Sequence, residues 1–514
     1  MSSPCAWTTF STGKNGGKHG IYRFTERDFS SYQYKFVNGG FRRAETFWKI
    51  LCGAHTGCVV NVPMTYPAEP LNGCMIAGFD APGSASKGVA YPDDLISEMI
   101  AKNGPYRITR DLGNLVRRGA NWDLAAAQLL ENMEMRYDHT VYLMDKYDWD
   151  LFTVVFNETD HAHHYFWKFF DPQHPDYKPK EAEKYGSAIL DVYKRMDDIT
   201  GRFMEKNPEV TVMIVSDHGG GINTRGGELV AEWLERLGLM HRETKSSGAG
   251  NILGRGFNRL ARSGYHLANK YLSTETKFKL IRLMPSLRSK VEAAVRLGGI
   301  DWGRTRAFCD GAQDDIWINL EGRDPMGTVK ESEYDELCEY ICSELREAVD
   351  VITGESIIQD VFRKQDVYNG SYMERAADIS FNWKPEGVVS GIKTPGTADP
   401  QPAEWSWPAD KPTGGHSMDG ILIAAGPRIA QGVSLQSASL IDVAPTVLYC
   451  FGEEIPEDFD GKVVEAMFEP SQIKEYPPRY GGKAAGAADK SREDVYSEQD
   501  ASVIEERLKD LGYI

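Results

Sequence analysis

An alternation limits what this chain can fold into. Short runs rich in Val, Ile, Leu and Phe at residues 58–62, 151–156, 210–215 and 420–425 are separated by stretches whose apolar residues recur at helical spacing, clearest at 122–147, 180–206, 227–239 and 440–451. Strands alternating with amphipathic helices bury both faces of a sheet, and parallel strands are covered in that way. The expected fold class is therefore α/β, with helices on both sides of a mostly parallel central sheet. No internal repeat of solenoid period interrupts the pattern.

Composition excludes some functions. At 514 residues and 41% hydrophobic content the chain has ample material for a large core, while a net charge of −17 argues against binding a nucleic-acid polymer, which needs clustered Lys and Arg. A small anion is still compatible with a local positive site. No apolar run approaches the roughly 18–20 residues needed to cross a bilayer, and residues 1–5 lack a charged segment leading into an apolar one, so a cytoplasmic location without a transmembrane segment is expected. The eight cysteines are scattered and read as free thiols. Cys338 and Cys342, four apart in the helical stretch 331–348, fit either one buried face or a pair of metal ligands, the buried face being the commoner case.

Residues 242–306 differ from their surroundings, being rich in Arg and Lys within an acidic protein. They read as a helical insertion, either a solvated hairpin packed on the main domain or a cap that attracts anionic substrates or touches a membrane surface. Residues 1–241 and 307–479 would then form one discontinuous catalytic domain. Residues 480–514 would supply a Gly/Ala-rich linker, 480–492, and a terminal helix, 498–511, stopped by Gly512.

Two of the strand runs end in chemistry. The run 151–156 leads into Asp160, with His161, His163 and His164 following, and the run 210–215 leads into Asp217 and His218 before three glycines. In open α/β sheets, sites form at the carboxyl ends of strands. Asp160 and His164 are four apart, on one face of a helical turn, where they can share a cation. His416 stands in a glycine-rich turn before the run 420–425. Capping acids and satisfied surface histidines are the plain alternative. Carboxylate with imidazole suits Zn²⁺ or Mn²⁺ better than Ca²⁺, and five such ligands suit two ions better than one.

The segments Thr159-Asp160-His161-Ala162-His163-His164, Ser216-Asp217-His218-Gly219 and Gly414-Gly415-His416-Ser417 resemble, in order and spacing, the metal-binding blocks of the type I phosphodiesterase/nucleotide pyrophosphatase group of the alkaline phosphatase superfamily. Further likeness lies in residues 6–14, 19–21, 319–323 and 508–513. The resemblance implies an alkaline phosphatase-like α/β/α sandwich and a metal-dependent phosphodiesterase acting on a small phosphorylated substrate. It also implies two divalent ions, Zn²⁺ or Mn²⁺, one held by Asp217 and His218 and the other by Asp160, His164 and His416. Counting back from Thr12-Gly13 as the family pattern prescribes places the nucleophile at Ser3.

Some positions depart from that pattern. The family carries an Asp on a strand ahead of the nucleophile, and only Met1 and Ser2 precede Ser3 here; the expectation is an ion site one ligand short, a sheet lacking one partner and weak activity. Pro4 and Phe24 stand where nucleotide-cleaving relatives have a base-stacking aromatic and an Asn, which weakens a nucleotide reading, although Arg23 is available for phosphate. A phosphomonoesterase, a phosphonate hydrolase and a non-catalytic member are the rival readings. A sulfatase is disfavoured, since residues 3–7 lack the Cys/Ser-x-Pro-x-Arg motif.

Overall fold

A computed structural model describes residues 2–109, 112–117, 121–243, 299–309, 314–407, 411–482 and 495–510. Most of the basic insertion, most of the linker and Gly512 lie outside the described residues. The two ends of the insertion meet, for Arg242 forms an antiparallel bridge with Ile300.

The strand Gly57–Val62 is the centre of the sheet. It pairs in parallel with Gly73–Ala77 on one side and Leu151–Val154 on the other, and Ala90–Tyr91 adds an antiparallel edge. Period-two alternation divides its side chains between two cores. Cys58, Val60, Cys74 and Ile76 join Leu95, Met99, Leu143 and Leu508 on one face. Val59 and Met75 join Trp7, Phe10, Trp48 and Leu448 on the other. Helices therefore cover both faces, as an α/β/α sandwich requires. Near the carboxyl end of the strand a bulge at Asn61, with φ 61°, shifts the register, and the Asn61 amide donates to the Val155 carbonyl at 3.0 Å.

The two strands that lead into candidate ligands are less fully paired. Among the described residues, Leu151–Val154 pairs only with Gly57–Val62, and Val212–Val215 pairs only with Leu422–Ala425, in antiparallel fashion. Their side chains are half-buried, whereas every residue of Gly57–Val62 is buried.

A second sheet, absent from the sequence reading, is antiparallel with strand order Ile358–Arg363, Ile379–Trp383, Asp315–Ile318, Ala307–Phe308. It shares a core with Trp233, Leu234, Leu337 and Ile341. Cys338 and Cys342 are buried in that core on the helix Glu331–Arg346, so their spacing marks an apolar face. All eight cysteines are free.

Several boundaries move. The stretch 180–206 is two helices, Pro179–Tyr185 and Ala188–Lys206, with Gly186 between them. The runs 210–215 and 420–425 shorten to Val212–Val215 and Leu422–Ala425, and the late helix is Val443–Cys450 after a 3-10 turn. Tyr480–Gly482, expected to open a linker, is instead a short strand parallel to Ile455–Pro456. The terminal helix forms at Glu498–Asp510. No helix among the described residues is long and apolar enough to cross a membrane.

Candidate active site

Ser3 opens the helix Ser3–Thr12, where Pro4 occupies a first-turn position that needs no amide hydrogen and favours helical φ. It is 1% exposed, and its Oγ lies 3.2 Å from His218 Nε2. A residue this near the start of the chain is thus packed into the site, at a helix end whose free N–H groups and dipole favour negative charge.

The other candidates arrive from three further elements. Asp160 and His164 lie one turn apart on the helix Glu158–Phe170, with Asp160 Oδ1 3.3 Å from His164 Nε2. Asp217 and His218 follow the strand Val212–Val215, and their carboxylate and Nε2 are 3.3 Å apart. His416 lies on the strand Gly414–Ser417, opposite Gly220 of the antiparallel partner Gly219–Ile222. Its Nε2 is 3.4 Å from Asp160 Oδ1 and 3.1 Å from His164 Nε2, and its ring centroid is 3.9 Å from that of His218. All six sequence-derived residues therefore converge.

Glycine makes the convergence possible. A Cβ on Gly220 would fall 2.0 Å from His163 Nδ1, and one on Gly414 would fall 2.1 Å from the His163 carbonyl. Only bare backbone lets this strand pair press onto the helix that carries Asp160.

Three of the ligand atoms, from Asp160, His164 and His416, lie within 4.8 Å of one another. His164 Nδ1 faces the Gly414 carbonyl at 3.1 Å, and His218 Nδ1 faces the Gly219 carbonyl at 3.0 Å. A carbonyl only accepts, so each ring carries a hydrogen on Nδ1 and turns Nε2 toward the site; burial works against charge on His164, but Asp160 raises it, so its Nε2 becomes a ligand atom on giving up its hydrogen. Burial by itself would raise the Asp160 carboxyl, but His164 and His416 hold it well below the usual carboxylate range. Burial, with His218 beside it, pushes His416 down to about 3, keeping that ring neutral. Converging lone pairs around a carboxylate are the donor set of a borderline-soft divalent cation, and these residues fit one. Asp217, pushed up to about 6 chiefly by burial, sits with His218 and Ser3 as a second group carrying one ligand fewer.

Arg23 is engaged elsewhere, donating from Nε to Asp315 at 2.7 Å, and Phe24 is buried in the core. Sequence reasoning passed over Tyr193, whose hydroxyl lies 3.3 Å from His163 Nε2. The available signal was Leu190 and Tyr193, three apart, exposed together on an amphipathic helix. His163 lay in the quoted motif without a role.

Residues 2–386 match the family described as type I phosphodiesterase / nucleotide pyrophosphatase, and the chain belongs to that family of phosphoester hydrolases. Among solved structures it is similar to murine ectonucleotide pyrophosphatase / phosphodiesterase 5, at 12% identity over 88% of this chain and 84% of that one, with a TM-score of 0.38. It is also similar to phosphonoacetate hydrolase from Sinorhizobium meliloti in complex with phosphonoformate, at 11% identity, 86% and 82% coverage and a TM-score of 0.42. A third is wild-type alkaline phosphatase PafA, at 13% identity, 91% and 89% coverage and a TM-score of 0.45. No curated protein sequence matches.

Proposed function

We propose that the enzyme hydrolyses a small phosphodiester with Ser3 as nucleophile and two divalent ions, Zn²⁺ or Mn²⁺, as cofactors. The observation that carries this reading is the approach of Ser3 Oγ to His218 Nε2, 3.2 Å, at one end of a cluster that continues through His416 to His164 and Asp160. Asp160, His164 and His416 would hold one ion, and Asp217 with His218 the other. Bound there, the ions would lower the pKa of the serine hydroxyl and offset negative charge developing on the phosphoryl oxygens.

Ser3 is fixed by the first turn of its helix, whose amide groups favour the anion. Attack in line with the departing oxygen sends the leaving group away from Ser3, toward the Asp160 side. A cytoplasmic location and a catalytic domain formed by 1–241 with 307–479 complete the reading.

One observation favours a second reading, a weakly active member: among the described residues only Asp217 and His218 stand as carboxylate and imidazole ligands beside Ser3. The test is hydrolysis of bis(4-nitrophenyl) phosphate and 4-nitrophenyl phosphate by purified protein with added Zn²⁺ or Mn²⁺. Diester hydrolysis that Ser3→Ala abolishes is expected. Equal rates for the Ser3→Ala protein would overturn the nucleophile, and faster monoester cleavage would overturn the diester preference.

A further inference from the structure

An aromatic surface borders the site beside Asp160. Tyr193 is 42% exposed, yet its ring stacks on His163 with centroids 5.7 Å apart and planes inclined by 27°. His163 is locked from beneath by Gly220, the residue opposite His416, and Trp167 meets its edge at 5.7 Å. Leu190, one helical turn before Tyr193, is 50% exposed. Tyr193 is near enough to Asp160 for that carboxylate to add to the effect of burial in raising the phenol. An exposed tyrosine held flat by a second ring, beside a charged cluster, has a preset orientation and loses little freedom when another ring stacks on it.

We infer that Tyr193, backed by His163, is the specificity-determining surface for the leaving group, and that the enzyme favours phosphoesters whose leaving alcohol is a planar aromatic ring. The inference rests on the proposed role of Ser3. In-line departure carries the leaving oxygen toward Asp160, His164 and His416, and the group attached to that oxygen then extends past the cluster to Tyr193. Leu190 lengthens the apolar strip, so the ring would be met by an aromatic face and an aliphatic edge. The alternation of ligand cluster and aromatic rim suits a substrate that is anionic at one end and apolar at the other.

The experiment compares wild-type, Tyr193→Ala and Tyr193→Phe proteins on two methyl phosphodiesters, one with a 4-nitrophenyl and one with a fluoroalkyl leaving group. The readout is the ratio of kcat/KM for the aryl ester to that for the alkyl ester. Tyr193→Ala is expected to lower this ratio about three- to tenfold, mostly through KM, and Tyr193→Phe to preserve it, since the face that stacks is retained. An unchanged ratio for Tyr193→Ala, or a Phe variant as impaired as the Ala variant, would overturn the inference. Failure of the underlying reading has a different signature: Ser3→Ala would then hydrolyse both esters at the wild-type rate.

Discussion

Asp160, half-buried, and Asp378, buried, are carboxylates both held below the usual range, and they are stabilised in opposite ways. Asp378 is fully enclosed. Arg323 grips it with two N–H groups at 2.8 Å, Tyr334 donates at 2.8 Å, the Ile318 amide donates at 2.8 Å and Lys364 stands 3.3 Å away. Its charge is matched by cations of the chain itself. Asp160 faces two imidazoles, one of them kept neutral, and a second carboxylate nearby at Asp217. A carboxylate and imidazoles converging in this way are the donor types of a divalent ion, whereas the enclosure of Asp378 by Arg323 and Lys364 serves the fold.

The sharpest way to break this comparison is to delete each carboxylate in turn. Asp160→Ala is expected to lower phosphodiester turnover on the order of a thousandfold while leaving metal-free thermal stability nearly unchanged. A variant that unfolds, or one that keeps its rate, would place Asp160 with the structural acids. Asp378→Ala should do the reverse. Leaving Arg323 and Lys364 without their shared partner is expected to cost roughly 3–5 kcal/mol in denaturant unfolding, with kcat per folded molecule unchanged.

Metal addition then separates the two at lower cost to the protein. Zn²⁺ at about one hundred times its dissociation constant should stabilise the native state by about 2.7 kcal/mol, visible as a raised Tm. Asp160→Ala should lose this shift and Asp378→Asn should keep it. An equal shift in all three proteins would mean that the ion binds elsewhere.

The smallest expected effect is in pH dependence. Asp378 is depressed in the folded state despite burial, because Arg323 and Lys364 outweigh the cost of enclosing the charge. Its contribution is therefore complete above the unfolded carboxyl value, about 4, and is lost as pH falls through the lower folded value. Unfolding measured from pH 6 downward should show an acid loss in the wild type that Asp378→Asn flattens below about pH 4. Identical slopes would contradict the assignment of that carboxylate.

Much of the site was legible because apolar strand runs ending in Asp160 and Asp217 expose where a sheet edge must lie, and because four-residue spacing aligned His164 with Asp160. Composition and periodicity alone left Ser3 as a bare terminal residue; the family spacing marked it, and the structure packs it against His218. The second sheet was not legible. Its strands are short and antiparallel, and the ion pairs that knit it, Arg323 with Asp378 and Arg27 with Asp324, look on a linear chain like ordinary surface charge. Tyr193 escaped for a related reason, since a single aromatic on a helix acquires meaning only when His163 is folded beneath it. Gly186 ended one helix and Ser187 preceded the next where the apolar spacing alone ran on, so local backbone preference overrode periodicity.

The contacts of the site also join remote parts of the chain. Ser3 meets His218 across 215 positions, and His164 meets His416 across 252. On a ribosome, the Ser3 helix emerges long before His416 has been synthesised, and loops of this length close late in folding. A nascent chain therefore carries only fragments of the ligand set. The cluster proposed to hold an ion is complete only once residue 416 has joined the fold, and a chain ending before that residue keeps Asp160 and His164 without their third member.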